Sequence, residues 1–126
     1  MTLLLPINKK QCFTIAYPRL VKGRQMEFAV GELAASKEFG TTILVPIDGS
    51  LVVEPELLLI PGLAFGRRGE RLGRGGGFFD HYLAGFRGLK IGLCFEEQLF
   101  DDLTMEEHDS WMNIVITDQN IYMTDR

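Results

Sequence analysis

Cysteine is nearly absent: only Cys12 and Cys94 occur, far apart and without a CxxC pair. That excludes a disulfide framework. Both sit in apolar runs and read as buried, reduced thiols, which predicts a cytoplasmic protein. Long apolar runs are missing as well. The opening MTLLLPINKK holds too short an apolar stretch, with no basic region before it, to read as a signal peptide or a spanning segment. Nothing else nears the ~18 apolar residues that a membrane helix needs, so no membrane association is expected. There is no excess of positive charge either. Thirteen Lys and Arg against seventeen Asp and Glu give −4, which disfavours binding of nucleic acid or anionic lipid by the surface as a whole. No internal repeat, low-complexity tract, linker or GxxxxGK[ST] loop is present.

What is present fits one globular domain spanning residues 1–126, with 46% hydrophobic and 24% charged residues. CFTIAY (12–17) predicts a strand that stops at Pro18, and MEFAV (26–30) a second. GELAASKEF (31–39) predicts a helix capped by Gly40. Residues 41–53, with Pro46 and the Asp48-Gly49-Ser50 turn signal, read as connecting loop with at most a strand fragment. LLLI (57–60) and LKIGLCF (89–95) predict strands buried on both faces. Between them FFDHYLAGF (78–86) has helical spacing, with Phe78, Tyr82 and Phe86 as a core stripe. NIVIT (113–117) and IYMT (121–124) flank Asp118-Gln119-Asn120 as a hairpin. The alternation predicts an α/β domain with a mostly parallel sheet and one antiparallel edge.

Charge is unevenly spread along the chain. Residues 66–77 (GRRGERLGRGGG) carry four arginines against Glu70, a local charge of +3, and six of the fourteen glycines. Residues 96–109 carry seven acids and no Lys or Arg, and read as a solvated face. A basic, glycine-rich loop leading from a strand into a helix suits a small anion: glycines let backbone N–H groups approach a phosphate, and arginines add charge-assisted bonds. An exposed, merely flexible turn is the other reading that spacing allows.

The run Pro61-Gly62-Leu63-Ala64-Phe65, followed by Arg71-Leu72-Gly73-Arg74-Gly75-Gly76-Gly77-Phe78-Phe79-Asp80 and Tyr82-Leu83, resembles the pattern PGLAFD…G-RLGxGxGYYD-xYL of the 5-formyltetrahydrofolate cyclo-ligase family. Tyr17-Pro18-Arg19, Lys90-Ile91-Gly92-Leu93, Gln98-Leu99, His108-Asp109 and Ile114-Val115-Ile116-Thr117 extend the match in order. Gly66 stands where the pattern has Asp, and Phe78-Phe79 where it has two tyrosines. The resemblance implies a three-layer, NagB/RpiA-like fold that here begins after the family's N-terminal helix–strand–helix segment. It implies ATP and Mg²⁺ as cofactors and 5-formyltetrahydrofolate as substrate. The formyl oxygen would be phosphorylated and N10 would then close the methenyl bridge. It further implies that Arg71, Leu72, Gly73, Arg74, Gly75, Gly76, Gly77, Phe78 and Phe79 hold the nucleotide phosphates. Asp80 and Asp109 would serve as metal-side carboxylates, and no residue is assigned as catalytic. A helix N-terminal acid is the alternative role for Asp80, and an ordinary solvated acid for Asp109. A non-catalytic nucleotide-binding or oligomerising member of the family is the alternative function. A sheet without its first strand and covering helix would expose apolar surface, which predicts a homo-oligomer.

Overall fold

The computed structural model describes residues 13–23, 25–38, 40–73, 77–107 and 109–126. Cys12, Phe39, Arg74, Gly75, Gly76 and His108, singled out above, lie outside the described residues. The chain divides into two compact units, one built on Met26–Glu54 with the segment ending at Val21, the other on Pro55–Arg126 with Lys22–Gln25.

The described elements of the first unit are all β-strands. Strands β1 (Tyr17–Val21), β2 (Gln25–Val30) and β5 (Leu51–Val53) form one sheet in the order β1-β2-β5. β3 (Leu33–Glu38) and β4 (Thr41–Pro46) form an antiparallel hairpin from Leu33↔Pro46 to Glu38↔Thr41. Two expectations are corrected here. The first strand begins at Tyr17 rather than ending there, and it contains Pro18. β1 lies at a sheet edge, where one side of the strand makes no ladder bonds and proline is tolerated. Within the segment 31–39, Leu33–Glu38 is strand, not helix. Its Glu, Leu, Ala and Lys residues favour a helix only weakly, by tenths of a kcal/mol each, whereas pairing with the β-branched TTILV of β4 supplies a six-residue ladder. Gly40, with φ at 76°, makes the turn of that hairpin. Arg19 braces the unit: its Nε donates to Glu27 Oε1 at 2.6 Å and its Nη1 to the Ile47 carbonyl at 2.9 Å.

The second unit carries the α/β part. β6 (Leu57–Ile60), β9 (Leu89–Leu93), β11 (Ile114–Ile116) and β12 (Ile121–Met123) form a sheet in the order β12-β11-β9-β6. β6, β9 and β11 run parallel and β12 is antiparallel at the edge, as the sequence predicts. β6 is buried on one face only. Leu58 and Ile60 are buried, while Leu57 and Leu59 are 46% and 41% exposed. Four apolar residues in a row therefore reflect one core face plus an open one, not two covered faces.

Between β6 and the helix lie two short strands that the sequence pattern hides, β7 (Ala64–Gly66) and β8 (Arg71–Leu72), and with β10 (Leu99–Phe100), which follows β9, they form a second, small sheet in the order β10-β7-β8. The helix α1 is six residues, Phe78–Leu83, not nine. Leu83 is its buried residue, with Phe78 and Tyr82 only half-buried, so the expected aromatic stripe is not the core contact. Phe86 lies beyond the helix end, its ring 6.0 Å from that of Tyr82.

The core gathers Leu58, Ile60, Phe65, Leu83, Ile91, Met112 and Val115. Phe65 is fully buried and lies against Gly92 of β9, where a Cβ would come within 2.7 Å of the ring. The 66–70 turn is fastened at Gly69, whose carbonyl accepts the Met112 N–H at 2.7 Å. Gly69 has φ of 103°, and a Cβ there would collide with the Met112 carbonyl oxygen. Gly69→Ala is therefore expected to destabilise the fold by about 1–3 kcal/mol, from backbone strain with the clash added. Urea denaturation of the variant checks this, and an unchanged midpoint would refute it.

Candidate functional site

In open α/β sheets, ligands bind outside the carboxyl ends of the parallel strands. β6 ends there at Pro61-Gly62, and the guanidinium of Arg71 folds back onto that end. Arg71 Nε donates to the Pro61 carbonyl at 2.8 Å. Its Nη1 donates to Asp80 Oδ1 at 3.2 Å, and its guanidinium carbon lies 5.3 Å from the centre of the Phe79 ring. The Arg71 side chain is 6% exposed against 41% for that of Asp80, so a nearly buried cation reaches solvent beside a half-open carboxylate. Burial pushes the Arg71 pKa down, and the negative charges of Asp80 and Asp109 act against that shift. Asp109 thus belongs to the same electrostatic neighbourhood. Its Oδ2 accepts the Glu106 N–H at 2.7 Å.

Of the expected phosphate set, the structure brings Arg71 and Phe79 together, with Asp80 of the expected metal pair beside them. Leu72 is exposed and Gly73 lies beside the Arg71 guanidinium. Gly77, with φ of 76°, turns the chain into α1, and Phe78 is half-buried in the first turn. Arg74, Gly75 and Gly76 lie outside the described residues. A six-residue helix contributes little dipole, so among the described residues of this loop Arg71 is the charge placed to meet an anion.

The local +3 of the 66–77 segment does not converge on one point. Arg67 Nε pairs with Asp101 at 3.0 Å and Arg68 Nη2 with Asp102 at 3.6 Å. These are exposed pairs, worth at most about 1 kcal/mol each. They also change the reading of the acidic run, which in part answers the basic loop.

Gln98, which the sequence analysis matched but gave no role, and Glu96, which it did not single out, lie at the edge of the site. Gln98 Nε2 donates to the Leu63 carbonyl at 3.0 Å, tying the single 3-10 turn at Glu96–Gln98 to the Pro61-Gly62-Leu63 bend. Glu96, just past the carboxyl end of β9, accepts from Thr117 Oγ1 at 2.5 Å and from the Tyr122 hydroxyl. The bonds from Thr117 and Tyr122 hold the Glu96 carboxyl below its ordinary range. Its stabilisation is therefore full above the unfolded carboxylate value, ~4.3, and is lost as pH falls through the lower folded value. Glu96→Gln should lower the urea midpoint at neutral pH, and the gap from wild type should close in acid. A gap that persisted or widened in acid would contradict this.

Cys94 is free and half-buried, and burial pushes its thiol up to about 11. It is a thiol at neutral pH and a poor nucleophile. Among the described residues, no three His, Cys, Asp or Glu side chains cluster as a metal cage. Mg²⁺ does not require one, since it commonly takes one or two carboxylates with substrate phosphates and water. The half-exposed carboxylate of Asp80, with Asp109 nearby in charge, is a hard-oxygen donor set of that kind. No helix among the described residues is long and apolar enough to cross a membrane.

A family model described as the 5-formyltetrahydrofolate cyclo-ligase family matches residues 3–118. A 5-formyltetrahydrofolate cyclo-ligase of Mycolicibacterium smegmatis is 34% identical over 118 residues, covering 90% of this chain and 58% of that protein. Among solved structures, the 5,10-methenyltetrahydrofolate synthetase of Aquifex aeolicus matches with a TM-score of 0.72 at 27% identity, over 88% of this chain and 58% of that one. A second, a 5,10-methenyltetrahydrofolate synthetase from Mycoplasma pneumoniae, has a TM-score of 0.62 at 23% identity and speaks for the fold. The chain thus spans a little under three fifths of the length of these relatives.

Proposed function

Because this chain belongs to the 5-formyltetrahydrofolate cyclo-ligase family, we propose that it takes part in the ATP-dependent cyclisation of 5-formyltetrahydrofolate to 5,10-methenyltetrahydrofolate. The observation that carries the reading is the Arg71–Asp80 pair at the carboxyl end of β6, at the two ends of the 71–80 segment. Arg71 binds and orients the nucleotide phosphates, its guanidinium held by the Pro61 carbonyl and the Phe79 ring. Asp80, with Asp109, would hold Mg²⁺, which when bound draws the phosphate oxygens together and offsets their charge.

The chemistry is phosphoryl transfer followed by ring closure. The formyl oxygen on N5 attacks the γ-phosphorus and ADP leaves with the bond it held. N10 then attacks the activated carbon and gives up its proton to water, and the carbon–oxygen bond breaks with its electron pair leaving on the phosphate. Such reactions depend chiefly on positioning and charge stabilisation, which is what a buried, braced arginine beside a carboxylate can offer.

The test is an absorbance assay for methenyl formation from 5-formyltetrahydrofolate with this chain, with and without ATP. ATP-dependent product that disappears in Arg71→Ala supports the reading. Product formed equally without ATP, or equally by Arg71→Ala, overturns it. No product from wild type that binds ATP-Mg at the 71–80 segment would favour a nucleotide-binding member without turnover.

A further inference from the structure

The turn between β7 and β8 encloses a carboxylate that this reaction does not use. Glu70 is 2% exposed, among the most deeply buried side chains of the second unit. Its Oε1 accepts the Arg68 N–H and its Oε2 the Leu103 N–H, each at 2.9 Å. The first bond closes the turn on itself, and the second fastens it to the segment that follows β10. A buried carboxylate is costly unless its oxygens are well satisfied, so two backbone donors aimed at one charge mark a built anchor.

The same carboxylate lies directly over Gly66. A Cβ added there would fall 2.7 Å from Oε2 and closer still to the rest of the carboxyl group. The φ of Gly66 is not positive, so its backbone admits any residue, and the three atoms nearest an added Cβ all belong to the Glu70 carboxyl group. A short acidic side chain growing from position 66 would deliver its oxygens to the same place. Immediately after Glu70 comes Arg71, whose strand partner is Phe65, the neighbour of Gly66.

We propose that Glu70 is a positioning residue. Its carboxylate locks the 66–70 turn to the segment after β10 and so fixes Arg71 in the phosphate site, and Gly66 and Glu70 form an exchangeable pair in which either position can supply that carboxylate. The link to phosphate binding rests on the proposed function; the anchoring of Arg71 does not.

Four forms test it: wild type, Glu70→Gln, Glu70→Gly, and the double exchange Gly66→Asp with Glu70→Gly. Glu70→Gln keeps the shape but turns an amide toward one backbone donor. It should speed hydrogen exchange of the Leu103 or Arg68 amide about tenfold, one lost charge-assisted bond. It should also loosen the Arg71 Nε–H held by Pro61 and weaken ATP-Mg binding by a similar factor. Glu70→Gly should do all of this more strongly, and the double exchange should restore the wild-type behaviour. Wild-type exchange in Glu70→Gln overturns the proposal, as does a double exchange no better than Glu70→Gly. Faster amide exchange with the Arg71 Nε–H unmoved would leave Glu70 a structural anchor and overturn its positioning role. If wild type binds no ATP-Mg, the functional reading falls and the Arg71 Nε–H signal alone decides the inference. Should Glu70→Gly fail to fold, Glu70→Gln carries the loss and the folded double exchange carries the rescue.

Discussion

Arg71→Ala is expected to weaken ATP-Mg binding by about 1.5–3 kcal/mol, the range for hydrogen bonds to a charged group, or roughly ten- to a hundredfold in Kd. The guanidinium is already immobilised by the Pro61 carbonyl, Asp80 and the Phe79 ring. Little further entropy is lost when a phosphate arrives, so most of the charge-assisted bonding appears as affinity. Arg71→Lys keeps the charge but loses the planar fork, and should fall between wild type and Ala. Calorimetry reads all three. Equal affinity in wild type and Arg71→Ala would remove Arg71 from the site.

Asp80→Asn separates the metal from the phosphate. Asn retains an oxygen that can accept from Arg71 Nη1 but has no charge to offer a cation. The proposed metal role predicts that the gain in ATP affinity on adding Mg²⁺, large in wild type, shrinks by about tenfold or more, since even supporting groups around a metal cost 10–100-fold when removed. Arg71→Ala should instead lower affinity with and without Mg²⁺ and leave their ratio standing. The effect on folding is expected to be below about 1 kcal/mol, because the Asp80 side chain is 41% exposed and solvent screens the pair. A Mg²⁺ gain in Asp80→Asn equal to that of wild type would assign the metal elsewhere.

The parallel sheet was readable because its strands are contiguous apolar runs bounded by Pro, Gly and turn residues. LLLI before Pro61, and NIVIT and IYMT around Asp118-Gln119-Asn120, all fall within a residue or two of where the structure puts them. Residues 33–38 were not readable locally, since the six-pair ladder with β4 decides their conformation and no propensity within the segment reports it. The short strands β7, β8 and β10 escaped for a related reason. Two or three residues carry no periodicity, and their pairing is set by Phe65 in the core and by backbone ladders between segments distant in sequence. At the site, the family resemblance implied Arg71 and Asp80 as separate phosphate and metal residues. That one holds the other, and that the lone acid among the arginines is a buried brace, depends on a hairpin visible only in three dimensions.

The central claim is that the 71–80 segment at the carboxyl end of β6 receives ATP-Mg. The most direct measurement is a nitrogen-edited NMR titration of the labelled chain with ATP-Mg, following backbone amides and the Arg71 Nε–H. The account predicts that the largest shifts gather at Arg71, Gly73, Gly77–Asp80 and Asp109, with the amides around Glu96, Thr117 and Tyr122 moving less. Shifts absent altogether, or centred on Glu96 and Tyr122 with the Arg71 Nε–H unmoved, would contradict it.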